Sequence, residues 1–444
     1  MEAQKSSAPS QYPGGQKKSN YRWVIMAVIF LTYTVAMADR VNIGVVLPFI
    51  REEFAMSNFQ LGLISSMFFL GYALTQIPAG FLIGKKGTRG LISISIILFS
   101  TITFLIGHAR SALQIILLRL FLGISEGVTP VGMTSTINRW FPAKEKGTAT
   151  GIYIASTQLA PIITPPLATF IALQFGWRYV FYFFAIPGIM LALIWYIFIR
   201  TSPEESEKVN QLELDYIRHQ EEVVNDHTKR KSLGVIDKAI RYQKVSPITK
   251  FKSIFTSWNI AGDTLAYFFM NCVNYGMLTW VPSYLVVAKG FSYGSMGWLA
   301  SAPAVGGIIG ALLGGWISDR LFLKRRKPTM MITAFTTAIM MFIVIYIPSD
   351  PLIVGLTLAF AGFFLNIGWP AFTAYPMGLT TGKTYPVAIA TINSGGNLGG
   401  FFAPIIVGLI LDATGNYNFA FGFFGAVLIL AFLIICTLKE PVQD

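Results

Sequence analysis

The chain has 444 residues, of which 54% are hydrophobic and only 12% are charged. A charged fraction about half that of an average soluble chain excludes an ordinary soluble enzyme and a disordered protein. The 34 Lys and Arg outnumber the 21 Asp and Glu, for a net charge of +13, and the placement of this excess decides its meaning.

Cysteine usage and short motifs exclude several kinds of chemistry. The two cysteines, Cys272 and Cys436, both lie in apolar stretches, so a disulfide framework and a thiolate metal site are not expected. The sequence contains no zinc-protease, phosphate-loop or serine-nucleophile motif. We therefore expect no cofactor, no metal ion and no enzymatic activity.

Apolar runs in chain order predict twelve membrane-spanning helices, since each span needs about 20 apolar residues. The first six predicted spans are 22–49, 59–83, 90–108, 111–134, 147–173 and 179–199. The other six are 258–287, 296–321, 329–347, 351–378, 385–411 and 418–438. The predicted fold class is an all-α membrane protein with an N-terminal tail (1–21), two six-helix bundles (22–199 and 258–438), a linker between them (200–257) and a C-terminal tail (439–444).

The basic residues predict the orientation of these spans. With the N-terminus inside the cell, 28 of the 34 Lys and Arg fall on cytoplasmic segments. This asymmetry is the positive-inside pattern, so we expect both termini in the cytoplasm and a multi-pass protein of the cell membrane. The pattern accounts for the basic excess without a nucleic-acid partner.

The two halves resemble each other in sequence. Pro48 and Pro282 end the first and seventh predicted spans, 234 positions apart. Three further positions recur 239 or 240 residues later, namely Pro165, Gly176 and Phe184 as Pro404, Gly415 and Phe424. A repeat of six spans is typical of transporters in which two similar bundles pivot around a central site.

Four charged residues lie deep inside predicted spans: Asp39, Arg40, Arg119 and Glu126. Asp263, near the start of the seventh predicted span, is a borderline member of this set. A charge in the bilayer core is costly, so each is a functional hypothesis by default. Asp39 and Arg40 are adjacent and point in different directions, whereas Arg119 and Glu126 are two turns apart on one helix face. We expect the four to converge on a cavity, the alternative being that they only neutralise one another.

The second half offers neutral polar groups instead of charges. Its intramembrane amides are Asn271, Asn274, Asn366, Asn393 and Asn397, and the mid-span tyrosines of the chain are Tyr33, Tyr72, Tyr153 and Tyr275. Charge on one side and amides on the other favour an anionic, hydroxylated solute. Each Asn is equally compatible with helix packing.

Ordered motifs carry a family resemblance over the whole chain. They are Ala38-Asp39-Arg40-Val41-Asn42, Gln76–Gly80, Arg119-x-x-x-Gly123-x-x-Glu126, Trp140-Phe141-Pro142 and Leu278–Leu285. With these motifs the sequence resembles the anion:cation symporter family of the major facilitator superfamily, whose members carry organic anions, typically with protons.

The resemblance implies roles for individual residues. Asp39 and Glu126 would bind the coupling protons, and Arg119 would bind the substrate carboxylate. The other implied cavity positions are Arg40, Tyr72, Gln158 and Asn393. To these the residue pattern of the seventh span adds Asn271, Asn274 and Tyr275 as candidate substrate-binding residues.

One departure from the superfamily pattern concerns gating. The loop after the second span usually reads G-x-x-x-D-R/K-x-G-R, but Gly84 stands where the Asp is expected, while Lys85 and Arg89 fit. In the second half Asp319 and Arg320 retain the pattern. We therefore predict a lopsided cytoplasmic latch that depends on Asp319, so that Asp319→Asn favours the inward-open state.

The residues and the resemblance together predict a monomeric, proton-coupled importer of a small organic anion, with a sugar acid favoured. The alternatives are a facilitator-type uniporter or exporter of another organic anion, such as an aromatic or dicarboxylic acid. A membrane enzyme would need a catalytic set that is not evident, and a sensor with an inactive transporter fold would not need the four intramembrane charges.

Overall fold

The computed structural model describes residues 18–218, 233–381 and 384–442. Most of the predicted N-terminal tail, the middle of the linker and the last two residues lie outside this part. The described chain is almost wholly helical, with one short two-stranded parallel sheet. The all-helical architecture agrees with the predicted fold class.

Two groups of helices pack mainly among themselves. The first bundle consists of α1 (Tyr21–Phe54), α2 (Asn58–Lys86), α3 (Arg89–Gly107), α4 (Ala112–Glu126), α5 (Thr129–Trp140), α6 (Ala143–Phe175) and α7 (Trp177–Phe198). Between the bundles lie α8 (Gln211–Arg218), α9 (Val235–Ala239), β1 (Tyr242–Gln243) and α10 (Phe251–Thr256). The second bundle consists of α11 (Trp258–Ser283), α12 (Tyr293–Leu299), α13 (Ala302–Trp316), α14 (Lys327–Tyr346), α15 (Pro351–Ile367), α16 (Trp369–Ala374), α17 (Tyr385–Thr414) and α18 (Tyr417–Thr437), followed by β2 (Glu440–Pro441). The predicted domain bounds remain predictions.

Eleven spans in the described part are long and apolar enough to cross a membrane, if α4 with α5, α12 with α13, and α15 with α16 each count as one. The helix α11 has 26 residues but is not among the eleven. Its polar residues, Asp263, Asn271 and Asn274 among them, lower its hydropathy. A total of twelve spans therefore remains a prediction.

Three spans are interrupted where the hydropathy pattern predicts continuous helices. The fourth span breaks between α4 and α5, the eighth between α12 and α13, and the tenth at Gly368, between α15 and α16. Hydropathy averaged over a span does not reveal such breaks, because both segments together still form one apolar run of span length. The break in the tenth span lies next to Asn366.

Small residues let helices pack closely inside the second bundle. Gly306, Gly310 and Gly314 recur every four residues on α13 and face main-chain carbonyls of α15. A Cβ at any of the three positions would overlap those carbonyls. Close approach through small residues is the main way in which membrane helices associate, since lipid is as apolar as their side chains.

The linker is attached to both bundles and is only partly the solvated segment that its composition predicts. Glu213 of α8 is fully buried and accepts hydrogen bonds from the backbone N–H groups of Tyr21 and Arg22, and it also pairs with the Arg22 guanidinium. At its other end, β1 pairs in parallel with β2. The first part of the linker therefore belongs with the first bundle and the last part with the second.

Glu440 of β2 secures the C-terminal strand and provides a test by pH. Its carboxylate accepts hydrogen bonds from the backbone N–H groups of Arg326 and Lys327 at 2.8 and 2.7 Å, while burial raises its pKa to about 7. A carboxyl whose pKa is raised in the folded state stabilises the fold below its unfolded pKa and loses that effect as the pH rises through its folded pKa.

We therefore expect the Tm of the wild type, relative to Glu440→Gln, to fall between pH 4.5 and about 7 and to level off above. The measurement is thermal unfolding of the detergent-purified protein at a series of pH values. Glu204→Gln is the control, because Glu204 is an exposed linker carboxyl with a lowered pKa and its curve should be flat across that window. If the difference in Tm between the wild type and Glu440→Gln does not change with pH, Glu440 does not titrate in this window.

Candidate functional site

The two bundles meet at one end of the molecule. We call this end the far side, where α1 ends and α2 begins, and the opposite end the terminal side, where α1 begins and the linker lies. On the far side the Phe49 and Tyr293 rings stack at 4.5 Å, and the Tyr293 hydroxyl donates to Glu52 at 2.9 Å. Nearby, Gly44 lies against the Leu278 carbonyl of the other bundle.

Asp412 supplies the most polar of these contacts between the bundles. Its carboxylate, near the end of α17, accepts hydrogen bonds from the backbone N–H groups of Asn58 and Phe59, both at 2.8 Å, and from the Asn58 side chain at 2.9 Å. The first N–H groups of a helix lack partners within the helix. Asp412 thus caps α2 from the opposite bundle.

The terminal side is open by comparison. On this side the ion pair of Asp319 with Arg326, just after α13, and the hydrogen bond of Arg89 to the Tyr196 carbonyl, at the start of α3, both stay within their own bundles. The contacts between the bundles described above all lie towards the far side. The molecule is therefore closed at the far side and open at the terminal side.

Asp412→Asn is expected to weaken far-side closure, because hydrogen bonds to a charged acceptor contribute about 1.5–3 kcal/mol, so the far-side-open population should rise roughly tenfold. The measurement is thiol labelling of Thr169→Cys, which is buried against Gly297 of the other bundle, in a Cys272→Ala, Cys436→Ala background.

Asp350→Asn is the matched control for this prediction, since Asp350 caps α15 within its own bundle by accepting from Leu352 and Ile353. Its labelling rate should equal that of the background protein. An equal rate in Asp412→Asn would show that the cap across the bundles does not hold the far side closed.

The four intramembrane charges come together between α1 and α4. All four are buried, with relative exposures between 0% and 4%. Arg40 Nε donates to Glu126 Oε2 at 3.1 Å, forming an ion pair across 86 positions of sequence. In the described part of the chain, Arg40 Nη2 and Glu126 Oε1 have no hydrogen-bond partner. The pair thus keeps a free donor and a free acceptor.

Arg119 and Asp39 have different partners from this pair. Arg119 Nη1 donates to the main-chain carbonyl of Asp39 at 2.9 Å, and its Nε to that of Ile64 at 3.4 Å. The Asp39 carboxylate accepts from the neutral side chains of Thr103 at 3.0 Å and Asn42 at 3.3 Å. Arg119 therefore joins α4 to the main chains of α1 and α2, while Asp39 forms no ion pair within the described residues.

Aromatic rings enclose the Arg40 guanidinium. Its Cζ lies 4.3 Å from the centre of the Tyr72 ring and 5.8 Å from that of Tyr33. The Tyr33 and Tyr153 rings are in contact at 4.6 Å. Tyr275 of the second bundle reaches this region and packs on Phe69 at 4.2 Å. Rings that face a guanidinium stabilise its charge where water is excluded.

The amides of the second bundle are more dispersed. Gln158 Nε2 of α6 donates to Asn366 Oδ1 at 3.1 Å, which joins the two bundles. Asn271 is buried and donates to the carbonyl of Tyr267 in its own helix, as a packing role would require. Asn274 and Asn393 are half-buried. Of the amides proposed for the site, only Gln158 hydrogen-bonds to the other bundle.

The predicted gating residues do not contact the other bundle in this state. Asp319 is exposed and pairs with Arg326 at 2.7 Å within its own bundle. Arg89 donates to the carbonyl of Tyr196, whereas Lys85 and Arg320 are exposed. The latch predicted at Gly84 and Asp319 would form only when the terminal side is closed. That side is open in this structure, so the latch remains a prediction.

Two features of the site escape sequence reasoning. Asp412 stands near a span end three residues before a helix-ending glycine, where a carboxylate usually faces water. Asn366 is one of several intramembrane amides that the pattern leaves equivalent. The only local signal for Asn366 is the Gly368-Trp369-Pro370 interruption that follows it.

Two helical bundles that close at one side over buried charges, and open at the other, define a membrane transporter. A model of the Major Facilitator Superfamily matches residues 29–325 and 285–444. The chain therefore belongs to the major facilitator superfamily, as a multi-pass protein of the inner membrane.

Several relatives of the chain are bacterial transporters. The chain is 31% identical to the probable galactarate/D-glucarate transporter GudP of Bacillus subtilis (strain 168), over 99% of this chain and 96% of the relative. It is 29% identical to the probable sulfoacetate transporter SauU of Cupriavidus necator, over 92% and 91%. It is 28% identical to the D-galactonate transporter of Escherichia coli O6:H1, over 90% and 91%. The sugar-acid transporter relationship predicted from the motifs is confirmed.

Solved structures share the fold. A bacterial homolog to the human lysosomal transporter Spinster, in an inward-facing and occupied conformation, aligns with a TM-score of 0.76 at 16% identity, over 95% of this chain and 97% of that one. A D-xylose-proton symporter aligns with a TM-score of 0.74 at 17% identity, over 95% and 98%. At these identities the likeness concerns the fold alone.

Proposed function

We propose that the protein is a proton-coupled symporter that imports a sugar acid. The observation that carries the proposal is the buried Arg40–Glu126 ion pair with its free donor and free acceptor. A guanidinium binds a carboxylate through two parallel N–H bonds, so Arg40 has the chemistry to hold a substrate carboxylate. Glu126 competes with the substrate for the same group.

Proton coupling follows from this competition. When Glu126 takes up a proton, it loses the charge that holds Arg40, and the guanidinium becomes available to the substrate. A bound substrate in turn favours the protonated form of Glu126. The proton and the anion therefore increase each other's affinity, which is the thermodynamic condition for binding together.

Asp39 and Arg119 have supporting roles in this proposal. Asp39 is the second proton site, because it is buried next to Arg119 and its carboxylate has only neutral donors as partners. Arg119, which the family resemblance implies as the carboxylate clamp, is already engaged with main-chain carbonyls. We assign the clamp to Arg40 and the alignment of α1, α2 and α4 to Arg119.

The relatives support the substrate class. Those named above include transporters of galactarate, glucarate and galactonate, which combine carboxylates with several hydroxyls. Charge in the first bundle and amides in the second suit such a molecule. With both termini in the cytoplasm, as the basic residues favour, the open terminal side faces the cytoplasm and the far side faces the periplasm.

A ligand screen followed by transport tests the proposal. Hexonates, hexuronates, aldarates and sulfoacetate are added to the purified protein, and a true ligand raises the Tm by mass action. In proteoliposomes, the same acid should accumulate against its gradient when the outside is acidic, and a protonophore should abolish this accumulation. Uptake that ignores the pH gradient would instead identify a uniporter.

A further inference from the structure

The hydrogen bond between Gln158 and Asn366 links the two bundles near the middle of their spans. It joins Nε2 of Gln158 to Oδ1 of Asn366 at 3.1 Å. Asn366 is buried, and its Nδ2 donates to the Gly362 carbonyl at 2.9 Å. That second bond fixes the amide, so its carbonyl oxygen points towards Gln158. The acceptor is thus held in place and does not have to reorient.

The surroundings leave room for both amides. Asn366 lies two residues before Gly368, where the tenth span is interrupted. From α13, a Cβ at Gly307 would lie 2.8 Å from Asn366 Nδ2 and 3.5 Å from Gln158 Oε1. The glycine thus accommodates the pair. Interrupted helices near the midplane commonly form transporter sites, because they expose main-chain and side-chain polar groups.

The bond also marks where contact between the bundles ends along α6. Thr169 packs on Gly297, and one to two turns closer to the terminal side the Ser301 hydroxyl donates to the Ile162 carbonyl at 2.8 Å. The Gln158–Asn366 bond comes next. Beyond it, the described residues 151–157 of α6 form no hydrogen bond to the second bundle. The pair therefore forms the last link before the open side.

We infer that a substrate hydroxyl replaces this bond, and that Asn366 is a specificity-determining residue that reads the hydroxyl together with Gln158. The inference rests on the proposed function as a sugar-acid transporter. A hydroxyl both accepts and donates, so it inserts between Nε2 and Oδ1 and leaves neither amide unpaired. Gln158 was expected to line the cavity and Asn366 was one of five equivalent amides; the pairing of these two and the exchange of partners are new.

Selectivity follows from the cost of unpaired groups. An acid without the matching hydroxyl leaves two buried amide groups without partners, and sites built to bind a hydroxyl reject such analogues strongly. The exchange also removes the link between the bundles. A matching substrate therefore loosens far-side closure as it binds.

The first measurement compares Kd values for gluconate, galactonate, their 2-, 3- and 4-deoxy analogues and hexanoate, by calorimetry on the purified protein. In the wild type, loss of one particular hydroxyl should weaken binding by roughly tenfold or more. In Asn366→Ala, the ratio of the Kd of that deoxy analogue to the Kd of the parent acid should shrink to about twofold. The ratios for the other deoxy analogues should stay at their wild-type values. Asn418→Ala, an exposed amide of the same bundle, should keep the wild-type ratios.

Gln158→Ala is the second variant, because Gln158 is only half-buried and a small side chain is tolerated beside Gly307. It should lose discrimination at the same hydroxyl as Asn366→Ala. If neither variant changes any deoxy ratio although the wild type binds a hexonate, the inference is wrong and the proposed function stands.

A second measurement needs no ligand. Labelling of Thr169→Cys, in the Cys272→Ala, Cys436→Ala background, should be faster in both Asn366→Ala and Gln158→Ala than in the background protein. An unchanged rate would show that the pair does not hold the bundles together. If no acid binds the wild type, the sugar-acid function is wrong, and so is the proposal that the pair binds a substrate hydroxyl. The labelling rate of Thr169→Cys still decides whether the pair links the bundles.

Discussion

Replacement of Arg40 by lysine is expected to abolish substrate binding, with a loss of at least a hundredfold in affinity. The ammonium keeps the charge but lacks the planar fork that binds a carboxylate through two bonds. Weakening one member of a buried, hydrogen-bonded charge pair costs about 3 kcal/mol, which corresponds to roughly a hundredfold. The measurement is the Kd of the acid that stabilises the wild type, at a pH near 5 and again near 8.

Two further arginine variants sharpen this prediction. Arg51→Lys is the matched control on the same helix, since Arg51 lies in the last turn of α1 at the far side. Arg119→Lys should lower the Tm but leave the Kd of the substrate nearly unchanged, because the hydrogen bonds of Arg119 hold main-chain carbonyls. Normal binding by Arg40→Lys, together with lost binding by a stable Arg119→Lys, would return the clamp to Arg119.

Glu126→Gln is expected to lose pH-driven accumulation, by a hundredfold or more relative to the wild type, while substrate exchange continues. Glutamine mimics the protonated side chain and cannot release a proton. The carrier therefore cannot return to its starting conformation without substrate and proton, a step that uphill transport requires. Exchange needs only the loaded form in both states. The measurement compares uphill uptake with counterflow in the same proteoliposomes.

The substrate affinity of Glu126→Gln should also lose most of its dependence on pH. With no carboxylate to compete for Arg40, acidification has little left to change at this position. Asp39→Asn should likewise lose accumulation, through the second proton site. Glu53→Gln is the control, because Glu53 pairs with Arg178 at the far side of the same bundle. Full proton-driven uptake in both Glu126→Gln and Asp39→Asn would show that these carboxylates are structural.

The sequence alone determined the class of protein and the set of charged residues. Span-length apolar runs and the one-sided placement of basic residues depend only on composition along the chain, because the bilayer itself selects for them. Asp39, Arg40, Arg119 and Glu126 stood out for the same reason, since charges within spans are rare and costly. The ordered motifs then indicated the family that the comparisons confirmed.

Only the tertiary structure decided which of these residues are partners. Spacing placed Arg119 and Glu126 on one helix face and predicted that the four charges converge, but it named no partners. The fold pairs Glu126 with Arg40 and directs Arg119 to main-chain carbonyls. Contacts between residues on different helices depend on the rotation and depth of each helix against its neighbours, which hydropathy does not encode.

The contacts between the bundles show the same limit most clearly. Asp412 caps Asn58 across 354 positions, and Gln158 binds Asn366 across 208. Both depend on which side of the molecule is closed. A linear sequence is identical in every conformation of the transporter, so it names the polar groups available, whereas the packing of one bundle against the other determines which of them meet.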